Sequence, residues 1–167
     1  MIVFDASTLI LIAKAELLDS VLADITLRAA IPVEVARECC GVKKSLDALL
    51  IQKTLDDLKL KVIAVKNRKL VLKLQEDFSL GRGEAEAIVL AIAEKAQVLG
   101  IDDKNGINSC KLLGLAFTTA IGILVRSHEK GLLTRSEALT KLATLAKHGR
   151  YKESILEDVR RKLEARP

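Results

Sequence analysis

The stretch Gly81-Arg82-Gly83-Glu84-Ala85-Glu86-Ala87-Ile88-Val89-Leu90-Ala91-Ile92, followed by Val98-Leu99-Gly100-Ile101-Asp102-Asp103, most narrows what this chain can fold into. Two glycines supply a tight entry turn, and Glu84 stands where a helix is expected to begin. Ile88, Ala91 and Ile92 then recur at helical spacing, so the helix lays an apolar face on a neighbour. Val98 to Ile101 is a short apolar run, predicted as a strand that ends in two adjacent carboxylates. Like charges about 4 Å apart repel by roughly 4 kcal/mol at an effective dielectric near 20. A bound divalent cation relieves that repulsion, and further acids elsewhere in the chain would complete its shell.

The same strand-acid-helix order opens the chain. Ile2-Val3-Phe4 ends at Asp5, and Leu9, Ile10, Ile12, Ala13 and Leu17 follow at helical spacing, with Ser7 or Thr8 as the expected cap. A second strand is predicted over Leu27 to Ile31, closed by Pro32 in the first turn of a helix that carries Glu34 and Glu38 on one face. Leu60 to Val65 is a third strand, at an edge, and Lys66-Asn67-Arg68-Lys69 is a basic cluster that either opens a solvated helix or contacts phosphate. Between them, after Lys43-Lys44-Ser45, Leu46, Leu49, Leu50, Leu55 and Leu58 form an apolar stripe.

Asn105-Gly106 is expected to turn the chain into a short helix, Ile107 to Leu113, closed by Gly114. A strand over Leu115 to Thr119 and a helix ended by Gly131 come next. Thr134 and Glu137 have capping-box spacing. The tail from Tyr151 to Arg166 is a charged amphipathic helix, with Ile155, Leu156, Val159 and Leu163 on one side.

Strands alternating with helices predict an α/β protein: a three-layer α/β/α sandwich around a mainly parallel sheet of four to five strands. With 167 residues, half of them apolar, the chain can bury a core of its own. No apolar run approaches the roughly 18 residues that span a bilayer. Met1 leads straight into the first strand without a basic leader, so no signal peptide is expected. Cys39, Cys40 and Cys110 form no CxxC pair and are expected as small buried residues of a reducing, cytoplasmic compartment. His128 and His148 stand apart and are expected at the surface, which argues against a zinc site or a Ser-His-Asp triad. The net charge of +5 favours an acidic partner such as nucleic acid.

In a parallel sheet Asp5, Glu34 or Glu38, Glu84, and Asp102 with Asp103 all fall at one edge, where ligands of such sheets bind. Carboxylates clustered there suit hard Mg²⁺ or Mn²⁺ and metal-assisted phosphodiester hydrolysis, which needs no side-chain nucleophile.

Asp5-Ala6-Ser7-Thr8, Ile31-Pro32-Val33-Glu34-Val35-Ala36-Arg37-Glu38, Gly83-Glu84-Ala85-Glu86-Ala87-Ile88 and Ile101-Asp102-Asp103 resemble, in order, the successive motifs of the PIN domain family. The match runs to about residue 133, through Gly122-Ile123-Leu124 and Lys130-Gly131-Leu132-Leu133, and is most similar to small prokaryotic toxins of the VapC-like type. The resemblance implies a PIN-like nuclease domain over 1–133. Residues 134–167 would be a helical extension, packed on that domain or in a dimer contact. It implies a magnesium- or manganese-dependent endoribonuclease with Asp5, Glu38, Glu84 and Asp102 as catalytic acids and Asp5, Glu84, Asp102 and Asp103 as metal ligands. Ser7 would steady Asp5, and Lys66, Arg68 and Lys69 would contact RNA. Glu84 stands where many members have Asp, and Ile101-Asp102-Asp103 replaces their Thr-x-Asp or Thr-x-Asn, so Asp102 and Asp103 both stay candidates. A homodimer and a small antitoxin protein are the implied partners. Different in class is a PIN-fold module that binds RNA or protein without cutting. A haloacid-dehalogenase-type phosphatase would need a second Asp where Ser7 stands.

Overall fold

The computed structural model describes residues 1–41 and 45–165. Lys43, Lys44 and Arg166 lie outside them. Five strands form the sheet: β1 (Ile2–Phe4), β2 (Ala29–Pro32), β3 (Leu60–Ile63), β4 (Val98–Gly100) and β5 (Phe117–Thr118). Their order is β3-β2-β1-β4-β5 and every pairing is parallel, with Ile2 opposite both Ala29 and Val98. The central strand is therefore the first one made, and β3 lies at an edge as its sequence predicts.

Side chains of β1 alternate between two cores, as strand geometry requires. Ile2 and Phe4 join one core. It is filled by α1 (Ala6–Lys14), α2 (Leu18–Asp24), α3 (Val33–Cys40), α4 (Leu46–Asp56), α8 (Ala120–Glu129), α9 (Arg135–His148) and α10 (Glu153–Glu164). Val3 and Leu99 join the other, with α5 (Arg68–Phe78), α6 (Arg82–Ala93) and α7 (Lys104–Leu112). Helices cover both faces of a parallel sheet, which is the expected three-layer sandwich.

Several local expectations are corrected. Asp5, not Ser7 or Thr8, caps α1, accepting from the Thr8 amide at 2.8 Å. A short α2 follows, for which seven residues carried no periodic signal. Pro32 ends β2 and caps α3 instead of sitting inside it. Asp103 caps α7, so Asn105 and Gly106 lie within that helix and not in a turn before it. On α4 the inward positions are Ala48, Ile51 and Thr54, whereas Leu46 and Leu49, and Leu58 just past the helix end, are exposed. His128 is buried: its Nδ1–H donates to the Leu133 carbonyl at 2.9 Å, and Nε2 has no hydrogen-bond partner among the described residues. His148 is exposed. The three cysteines carry no disulfide, and Cys39 and Cys110 are buried.

The last two helices share the first core. Leu142, Leu145, Leu156, Val159 and Leu163 pack with Leu9, Ile12 and Leu124. At the end of α1 the Lys141 ammonium donates to the Ala15 and Glu16 carbonyls at 2.9 and 3.2 Å, where a cation suits the helix C-terminus. Leu145→Ala is accordingly expected to cost about 2–5 kcal/mol in urea unfolding, in a single transition for the whole chain. Two transitions, with only the minor one shifted, would make residues 134–165 a separate unit.

Candidate functional site

Because every strand is parallel, all five carboxyl ends lie at one edge, and the helices that follow start there. Asp5 follows β1. Its amide donates to the Gly100 carbonyl of β4 at 2.9 Å, and its side chain is fully buried at 0% exposure. One carboxylate oxygen accepts from the Thr8 amide at 2.8 Å, the other from the Ser7 hydroxyl at 2.6 Å. The α1 N-terminus adds a favourable dipole.

Asp102, just past β4, is half-buried and held at both oxygens. Oδ2 accepts from the Thr8 hydroxyl at 2.7 Å and from the Ala120 amide, at the start of α8, at 2.8 Å. Oδ1 accepts from the Tyr151 hydroxyl at 2.6 Å. Neighbouring hydroxyls, Ser7 and Thr8, thus tie the two aspartates to one helix start.

The donors do not cancel the charge. Burial, the larger effect, and the charge of Asp102 outweigh the Ser7 and Thr8 hydrogen bonds and push Asp5 up from 3.8 to about 7. The same burial, with Asp5's charge behind it, pushes the Cys110 thiol up to about 11, so that it stays a thiol. Tyr151 is raised by burial first and by Asp102 second.

Glu84 lies in the first turn of α6, with its carboxylate folded back to accept from the Gly81 amide at 3.0 Å. Burial raises its pKa, and the charges of Asp103 and Glu38 add to that. Gly81 has φ of −64°, so the glycine pair is not needed for a left-handed turn. Gly83 serves a close approach: a Cβ there would sit 2.5 Å from Glu38 Oε1. The Glu38 carboxylate therefore rests on the backbone of α6 beside Glu84. Asp103 Oδ1 accepts from the Asn105 and Gly106 amides at 2.7 and 3.1 Å.

The five predicted acids thus fall into two groups at one edge, Asp5 with Asp102, and Glu84 with Glu38 and Asp103. Among the described residues no three acids converge to hold an ion. The donor chemistry nevertheless fits a hard cation. Asp5 and Asp102 are adjacent oxygen donors, and among the described residues neither forms an ion pair with an arginine or lysine.

Glu34, which shares its helix face with Glu38, behaves differently. It pairs with Arg37 and lies 3.7 Å from Arg82. Glu86, 3% exposed, pairs with Arg82 at 3.1 Å and with Arg68 at 2.9 Å. Arg68 is therefore engaged by a buried acid, whereas Lys66 and Lys69 stand exposed around the start of α5. Sequence reasoning missed the roles of Thr8, Glu86, Arg82 and Tyr151. The spacing of Arg82 and Glu86 as i,i+4 neighbours held a signal for that pair. Nothing near Tyr151 in the sequence pointed to a partner 49 residues away.

A family model described as a PIN domain matches residues 1–165. No curated protein matches the chain.

Without bound metal, folded Asp5 keeps its proton to about pH 7, whereas the unfolded chain releases it near 3.8. The stability this group supplies is complete below the lower value and declines as pH rises to the upper one. At about 1.4 kcal/mol per pH unit the loss is at most about 4 kcal/mol. Urea unfolding in EDTA is expected to show wild type losing stability between pH 5 and pH 8 relative to Asp5→Asn, which ends the more stable at pH 8. Parallel profiles would place the Asp5 proton elsewhere.

Proposed function

Since the chain belongs to the PIN domain family, we propose that it is a divalent-metal-dependent endoribonuclease hydrolysing RNA phosphodiester bonds. The observation that carries this is the Asp5–Asp102 pair: two carboxylates held at one helix start, one of them fully buried, with no ion pair to either among the described residues. Asp5 and Asp102 would hold Mg²⁺ or Mn²⁺, and Glu84, with Glu38 and Asp103 beside it, would complete the shell on release from the Gly81 amide. When bound, the cation supplies the Lewis acidity that makes water nucleophilic near neutral pH and offsets charge developing on the phosphate. Ser7, Thr8 and the Ala120 amide keep the aspartates oriented, so little reorganisation is needed as the reaction proceeds. The buried Cys110 thiol, at about 11, is no competing nucleophile.

Lys66 and Lys69, just beyond the carboxyl end of β3, take phosphates of the RNA, while Arg68 stays on Glu86. The net charge of +5 supports an anionic substrate. The resemblance to VapC-like toxins extends the proposal to a cytoplasmic toxin with a small antitoxin partner and to a homodimer, for which exposed Leu46, Leu49 and Ile155 offer apolar contact. No helix of the described residues is long and apolar enough to cross a membrane. The second reading, a module that binds without cutting, draws on the Glu84 carboxylate being engaged by its own helix.

Incubation of a labelled structured RNA pool with Mg²⁺, Mn²⁺ or EDTA, beside Asp5→Asn, separates the two. Cleavage that stops in EDTA and falls about a thousand-fold in the variant, a loss of roughly 4 kcal/mol of charge stabilisation, is expected. RNA retained uncut in Mg²⁺ and Mn²⁺ alike would favour the binding module.

A further inference from the structure

Tyr151 is the single tyrosine of a chain without tryptophan. It lies between α9 and α10, outside the motifs that carry the acids, yet its hydroxyl donates to Asp102 Oδ1 at 2.6 Å. The ring reaches that point by lying against Gly149, where a Cβ would meet Tyr151 Cε2 at 2.2 Å. Any larger residue there must displace the ring. The segment itself is anchored on both sides, by Leu142 and Leu145 of α9 and by Leu156 and Val159 of α10 in the core.

Asp102 Oδ2 is already held by Thr8 and the Ala120 amide. With Tyr151 on Oδ1 both ends of the carboxylate are fixed, so its plane cannot rotate about the Cβ–Cγ bond without breaking a hydrogen bond. Oδ2 spends both lone pairs on its two donors, whereas Oδ1 accepts from Tyr151 alone and keeps a second lone pair, which leaves ligating capacity on a carboxylate whose direction is set by its surroundings. Groups that orient a ligand in this way typically change metal affinity about 10–100-fold when removed.

We propose that Tyr151 is a positioning residue for the cation site: its hydroxyl fixes the Asp102 carboxylate, and through Gly149 it makes the C-terminal helix pair part of that site. The inference rests on the assignment of Asp102 as a cation ligand. It reaches beyond that assignment because the C-terminal helices would then complete the nuclease centre as well as the core.

The test uses the full chain and Mg²⁺ alone. Calorimetric titration of wild type, Tyr151→Phe and Gly149→Ala would be paired with thermal unfolding in EDTA, and tyrosine emission would follow the wild-type titration. Because one tyrosine supplies that emission, a saturable change with Mg²⁺ is expected at the concentrations where calorimetry shows binding. Tyr151→Phe keeps the ring and loses only the hydroxyl, so it should bind Mg²⁺ about ten-fold or more weakly with little change in its unfolding temperature. Gly149→Ala keeps the hydroxyl but displaces the ring, and should weaken binding similarly. Equal Mg²⁺ affinity in wild type and Tyr151→Phe, whatever happens to the unfolding temperature, would overturn the positioning role and leave the cation site standing. A wild type that binds no Mg²⁺ would remove the cation site and the proposal together, so the two failures are distinct.

Discussion

Two aspartates from different strand ends are held within reach of one helix start, and much of this molecule is arranged around the resulting charge. Asp5 is wholly removed from water, and the hydrogen bonds it accepts are too few to offset its desolvation beside Asp102. A carboxylate in such a place is costly unless it is protonated or neutralised by a cation. The parallel sheet makes the arrangement possible. β1 and β4 pair in register, Asp5 donates its amide to Gly100, and both acids emerge at the same edge. The starts of α1 and α8 then turn their unpaired amides toward the carboxylates.

Buried acids elsewhere at this edge are treated differently. Glu34 and Glu86 meet arginines, Arg37, Arg82 and Arg68, and so need no added cation. Their pairing joins α3, α5 and the start of α6, which brings Gly83 close enough for Glu38 to rest on it. Among the described residues, the contrast between acids with arginine partners and acids without them distinguishes the two aspartates from ordinary structural ion pairs. It is also why they, and not Glu34 or Glu86, anchor the proposed nuclease centre.

Much of this was legible before any coordinates. Strand, acid and helix follow one another in local sequence, and the three-layer sandwich comes from repetition of that unit. Thr134 and Glu137 do form the capping box that their spacing announces. What stayed hidden depends on partners far apart in the chain. The inward face of α4 is Ala48, Ile51 and Thr54 because α1 and α3 approach from that side, and leucine spacing alone holds no such information. His128 reads as a surface imidazole until Leu133 offers it a buried carbonyl. Tyr151 is invisible as a site neighbour because its link to Asp102 is made by the packing of α8, α9 and α10. The roles of individual acids were open for the same reason: a helix face places Glu34 and Glu38 together, and only the arginines and Gly83 separate them.

The central claim is that the uncompensated Asp5–Asp102 pair is built for a divalent cation. Anomalous diffraction from crystals soaked in Mn²⁺ tests it most directly. The account predicts a peak within coordination distance of both carboxylates, about 2.0–2.6 Å for hard oxygen-bound cations, with Glu84 turned away from the Gly81 amide toward it. Crystals at millimolar Mn²⁺ with no peak at this edge, or with the ion bound away from Asp5 and Asp102, would contradict it.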